Sequence, residues 1–175
     1  MKINDIEHYL KNGTITKIVE TELARHLNFF ENTFKENRRH VEAVKESFPR
    51  WSIISGYYAM HDATKLFLAK RFFIKVELKV HKTTIELIKR ISANDEILRL
   101  LEQGYGEFIR MANDLAEAKE ERVKAQYYTG SEFMKLKYKE KAAQFLRDVV
   151  DTYLEKINKL IIEKNEGGKN ESKPI

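Results

Sequence analysis

Two short stretches hold the residue types that could do chemistry. In ERVKAQYYTG (121–130) an arginine is followed at short range by a glutamine and two tyrosines, and in YYAMHDATK (57–65) Tyr58, Asp62 and Lys65 recur at helical spacing. A guanidinium presents a rigid fork of donors to phosphate oxygens. A tyrosine ring is a face on which a base can stack. Residues three and four apart share one side of a helix, so Tyr58, Asp62 and Lys65 form a polar line, with Trp51 and Ser55 a turn or two earlier. On a helix that also carries apolar residues, such a line reads as a hydrogen-bond network at an interior or an interface. The plain alternative is a surface Asp62–Lys65 ion pair beside a half-buried tyrosine, with Arg122 an ordinary charge on a solvated helix.

Other chemistries have less to stand on. The five histidines, at 8, 26, 40, 61 and 81, are too widely spaced to share a helical face, and the two E-x-x-H motifs of di-iron bundles are absent. Glu22–His26 and Glu36–His40 are i,i+4 pairs, which read as surface ion pairs. There is no Walker loop, glycine-rich dinucleotide turn or nucleophile elbow. With no cysteines, disulfides, thiolate zinc sites and cysteine nucleophiles are excluded together. The expectation is a chain without a protein-built metal site or a cofactor.

Charge is unevenly spread. Residues 51–90 carry eight basic side chains against three acidic ones, which equals the whole chain's formal excess of +5. Lys65, Lys70, Arg71, Lys75, Lys79, Lys82, Lys89 and Arg90 supply it, with Phe67, Phe72 and Phe73 among them. A local cationic surface attracts phosphate backbones, with a strength that falls steeply with salt. A lysine-rich solvated face over core phenylalanines reads equally well. Lysine and glutamate dominate the charged residues, a bias that fits a thermophile.

The elements that must position these residues are helical. Two prolines and seven glycines in 175 residues leave few breakers. Apolar spacing predicts helices over about 2–11, 16–46, 47–72 (Ser47 as cap, Pro49 in the first turn), 83–92, and from Asn94 or Asp95 onward, interrupted at Gly104 and resuming towards Tyr128. Residues 73–82 read as irregular. A capping box formed by Thr129 and Glu132 precedes a last helix ending near 164, whose apolar stripe includes Phe145, Val149, Tyr153 and Ile157. The fold class is therefore all-α, an up-and-down bundle of four to six helices in one domain over 1–164, with a disordered polar tail over 165–175. The first residues read as no signal peptide, and no apolar run approaches the roughly 20 residues that span a bilayer, so a soluble cytoplasmic protein is expected.

The strings SGYYAMHDATKLFL (55–68), KVHK (79–82) and LAEAKEERVKAQYY (115–128), in that order and spacing, resemble the HEPN domain, a family of small helical bundles. The likeness spans about residues 47–164. It implies a homodimer, in many members an RNA-cleaving toxin encoded beside a minimal nucleotidyltransferase that acts as its antitoxin partner. Ribonuclease members carry an arginine and a histidine with four to six residues between them at a groove in the dimer interface, and they cut RNA without metal through the ribose 2′-hydroxyl. Arg122 takes the arginine position here, but Tyr127, Tyr128 and Thr129 stand where the histidine should be. In a second branch, tied less securely to any activity, an aspartate falls where this chain has Gln126.

That substitution matters physically. A proton-transfer group works best with a pKa near the working pH. Bringing a tyrosine from about 10 to about 7 needs roughly 4 kcal/mol of preferential phenolate stabilisation. Tyr127 also lies about 140° round a regular helix from Arg122, whereas Gln126 nearly shares its face. The resemblance thus implies binding without efficient cleavage, with Arg122, Gln126 and Tyr127, joined by Lys65, His81, Tyr58 and Asp62, as the nucleotide- or RNA-binding set. Two alternatives stay open: an active metal-independent endoribonuclease that uses His61 or His81 for proton transfer, and a purely structural interaction bundle.

Overall fold

The structure is a computed structural model that describes residues 4–92, 94–120 and 132–162. It is an all-α bundle with one small β-ribbon. Helix α1 (Asn4–Lys11) ends at Gly13, whose φ of +69° no β-carbon hinders. Strand β1 (Ile15–Lys17) follows, then α2 (Glu20–Val44) and α3 (Pro49–Phe72). Strand β2 (Ile74–Val76) returns antiparallel to β1, with Ile15 opposite Val76 and Lys17 opposite Ile74. Then come α4 (Val80–Ile91), α5 (Asp95–Glu120) and α6 (Glu132–Phe145), which passes through a π turn (Leu146–Asp151) into α7 (Thr152–Ile162).

Three local expectations are corrected. Ser47 is not the cap of α3: Phe48 occupies that position with no side-chain cap bond, and Pro49 starts the helix because its missing N–H would have had no partner there. Residues 73–82 are not irregular throughout, since 74–76 pair with 15–17 and α4 already begins at Val80. Gly104 does not interrupt α5. A β-carbon there would come within 3.0 Å of the Met60 side chain, so the glycine lets α5 press onto α3 while the helix runs on. Asn94 caps α5 as expected, its Oδ1 accepting from the Glu96 and Ile97 amides at 3.1 and 3.2 Å. The Thr129 cap, the 165–175 tail and the run 121–130 lie outside the described residues.

α3 is the axis of the molecule. It packs against α2, α4, α5, α6, α7 and the ribbon, and 16 of its residues are buried, so a residue on almost any of its faces meets protein. Its Gly56 sits beneath the π turn, where an added β-carbon would lie 3.0 Å from Val150 and 3.1 Å from Leu146. One turn beyond, Tyr153 donates to Thr64 Oγ1 at 2.5 Å while Thr64 donates to the Met60 carbonyl at 2.7 Å, so both buried hydroxyls are satisfied. Phe145, Val149, Tyr153 and Ile157 recur every four residues, and each such step overshoots a regular turn by about 40°. A π turn carries more residues per turn and brings the stripe back onto α3.

Candidate functional site

Where α3, α4 and α5 meet, four aromatic rings and two imidazoles collect in two layers. α3 supplies Tyr57, Tyr58 and His61, one turn apart; His81 stands at the start of α4; Tyr105 and Phe108 lie one turn apart on α5. Tyr57 and His61 are buried, His61 with 2% of its surface exposed. Above them Tyr58, His81, Tyr105 and Phe108 are half-buried and form the outer layer. Tyr57 stacks on Phe108 with centroids 4.9 Å apart, and His61 lies 4.6 Å from His81. Phe108 meets the edge of Tyr58 at 5.4 Å, and His81 is nearly parallel to Tyr105 at 5.9 Å. Such offset and edge-to-face pairs add about 0.5–1.5 kcal/mol each beyond area burial.

Tyr57, His61 and His81 are neutral at pH 7. Burial, reinforced by neighbouring tyrosines, pushes the Tyr57 hydroxyl far above its ordinary value, so it stays protonated. Its oxygen is 2.7 Å from His81 Nδ1. With the hydroxyl donating, the His81 proton sits on Nε2. Burial first, and then Lys65 and His81, push His61 down to about 3, and among the described residues neither of its ring nitrogens has a hydrogen bond of good geometry. The Val80 main chain offsets a little of that depression. His81 is lowered for the same reasons, burial before Lys65, with Asp62 pulling the other way.

Asp62 and Lys65 make a second polar unit at the edge of the cluster. Their side chains are 2.6 Å apart, and Asp62 is buried rather than on the surface. Its other oxygen accepts from Asn37 Nδ2 on α2 at 3.0 Å, so the carboxylate is held by two elements. The Lys65 ammonium also sits 5.3 Å over the Phe30 ring. A recess of about 290 Å³ opens beside Tyr105, lined by Lys82, Ile85, Glu86 and Glu102.

Of the residues expected to bind, Tyr58, Asp62, Lys65 and His81 come together here. Arg122, Gln126 and Tyr127 lie outside the described residues. Ser55, on the same stripe, bonds His40 at 2.7 Å, and Trp51 is exposed. Sequence reading missed Tyr57, Tyr105, Phe108 and Asn37; the Tyr105-x-x-Phe108 spacing was the available signal. Of the cations of 51–90, Arg90 lies over Tyr9, and Lys75 pairs with Glu77 at 2.8 Å. Among the described residues no three metal-ligating side chains come together, and no helix is long and apolar enough to cross a membrane. Comparison of the chain with protein-family models, with curated proteins and with solved structures found no match in any of the three.

Proposed function

We propose that the chain is a HEPN-like nucleotide- or RNA-binding helical protein with weak or absent ribonuclease activity, acting as a homodimer beside a minimal nucleotidyltransferase in a toxin–antitoxin-type module. The observation that carries the binding part is the outer layer of Tyr58, His81, Tyr105 and Phe108. It is a half-exposed aromatic surface that includes one imidazole and has an ion pair with a buried carboxylate at its edge. Base stacking on such rings is worth about 1–3 kcal/mol per base. The dimer, the partner and the module rest on the motif resemblance and on Arg122.

The same cluster argues against cleavage. A histidine held at about 3 is protonated in fewer than about one molecule in a thousand at pH 7, so His61 is a poor general acid, and its burial keeps it from a substrate proton. Tyr57 stays a phenol and cannot serve as a base.

Titration with adenosine and with short single-stranded RNA at low salt tests the reading. Saturable binding that weakens about 5- to 150-fold in Tyr105→Ala supports it; no saturation, or binding indifferent to that substitution, ends it. Clean RNA cleavage that disappears in Arg122→Ala would replace it with the endoribonuclease alternative.

A further inference from the structure

A second recess, of about 440 Å³, lies between the N-terminal half of α2, the middle of α3 and strand β2. We propose that it is a binding site for a dianionic phosphoryl group. This deepens the reading above, on which a nucleotide's base would occupy the aromatic layer, but the groove's own chemistry does not depend on that layer.

Three cations from three elements converge there: Arg25 of α2, Lys65 of α3 and Lys75 of β2. Glu77 is the one carboxylate among the lining residues; Glu22 and Asp62, which pair Arg25 and Lys65, do not line the recess. Phe29, more than half exposed, and Phe30 form an apolar wall that lowers the local dielectric. Each cation is already steered by a carboxylate: Arg25 by Glu22 at 2.9 Å, Lys65 by Asp62 at 2.6 Å and Lys75 by Glu77 at 2.8 Å. Thr16 donates to Glu77 at 2.8 Å and fixes it in turn.

These pairs hold the cations in place without locking them. The Arg25–Glu22 and Lys75–Glu77 pairs are partly exposed and worth about 0–1 kcal/mol each, so a group that brings two charges and three oxygens can draw those two cations to itself, while Lys65 stays on the buried Asp62 and adds its charge from the groove wall. Arg25 adds the forked geometry that suits phosphate oxygens. The volume falls within the roughly 300–1,000 Å³ of small-molecule sites. Lys65 and Val80 line the groove, and Lys65 also acts on His61 and His81, so groove and aromatic layer adjoin at one lysine.

Pyrophosphate is the probe, titrated by calorimetry into the full-length protein at low salt. Arg25→Gln and Lys75→Gln change partly exposed side chains, and a thermal melt beside the wild type verifies that both fold. The expected result is saturable binding that falls at least tenfold in either variant, weakens with added salt, and is unchanged in Tyr105→Ala. Adenosine, which has no phosphate, should respond in the opposite way, losing affinity in Tyr105→Ala and keeping it in the two glutamine variants. Failure of the pyrophosphate arm alone overturns the groove; failure of the adenosine arm alone overturns the stacking surface. Equal loss of pyrophosphate binding in Lys159→Gln, on distant α7, would mean diffuse charge attraction and would also overturn the groove. Adenosine monophosphate binding tighter than pyrophosphate identifies the phosphoryl group as a nucleotide's, and equal affinities identify free phosphate.

Discussion

Helices α2 and α3 have almost the same length, 25 and 24 residues, and lie side by side, yet they bury very different shares of themselves. α2 buries two residues, Phe30 and Val41; α3 buries sixteen, among them His61, Asp62 and two serines. α2 is a cover with one apolar stripe. α3 is an axis whose polar residues survive inside because neighbours on α2, α4 and α7 answer them: His40 for Ser55, His81 for Tyr57, Asn37 for Asp62 and Tyr153 for Thr64. His61 is the exception, a buried imidazole whose ring nitrogens no side chain among the described residues answers. A buried polar group without an answering bond costs stability, and it lies directly beneath the layer assigned to binding.

Truncation should break the two helices apart most clearly. Leu68→Ala, at a fully buried position of α3, should cost about 2–5 kcal/mol by urea denaturation, whereas Leu27→Ala on the half-buried stripe of α2 should cost about half of that or less. Equal losses would remove the distinction between axis and cover.

Acid should act on the axis next. His61 titrates near 3 in the fold and near 6.5 when unfolded, so between these values the unfolded chain holds the extra proton. Its contribution is complete above about pH 6.5 and is lost as the pH falls towards 3. Between pH 7 and pH 5 the loss should be about 2 kcal/mol, with His81 adding in the same direction. Urea midpoints at pH 7, 6 and 5 measure it, and His61→Phe should flatten most of the slope. A wild type equally stable at pH 7 and pH 5 would show that His61 is not held neutral.

Two glycines sharpen the contrast at a smaller scale. Gly56→Ala pushes a methyl group into Val150 and Leu146, and should destabilise by about 1 kcal/mol after the helix-propensity gain is allowed for. Gly106→Ala on the open side of α5 meets nothing, and should stabilise by up to about 1 kcal/mol. Thermal melts of the two variants should therefore move in opposite directions. Smallest of all, Glu31→Gln on the outer face of α2 breaks the 2.5 Å pair with Lys35, about half exposed on both sides. It should change stability by less than about 0.5 kcal/mol, and not at all at 1 M salt.

Some of this was legible in the residue order. Apolar stripes located the helices, Pro49 marked the start of α3, and Asn94 announced the cap of α5. Where the reading failed, a distant partner had the deciding role. The ITK strand was absorbed into α2 because three residues carry no periodicity of their own, and they become a strand only by pairing with IKV some sixty residues on. Gly104 read as a break because its use is visible only against Met60. The four-residue steps around Val149 were present in the sequence, but that the helix answers them with a π turn depends on Gly56 lying underneath.

The candidate site divides in the same way. Tyr58, Asp62 and Lys65 were readable as one stripe because helical spacing is a local property of the chain. That Asp62 is buried, that His81 and Tyr57 hydrogen-bond across 24 residues, and that Tyr105 and Phe108 complete the surface were not readable. Residue order by itself determined the helical class and the face each helix must bury, since both follow from a period of 3.6 residues. Which buried faces meet, and so which imidazole is left neutral beneath an aromatic layer, was decided only by tertiary packing, because desolvation and ring contact depend on neighbours the chain reaches by folding.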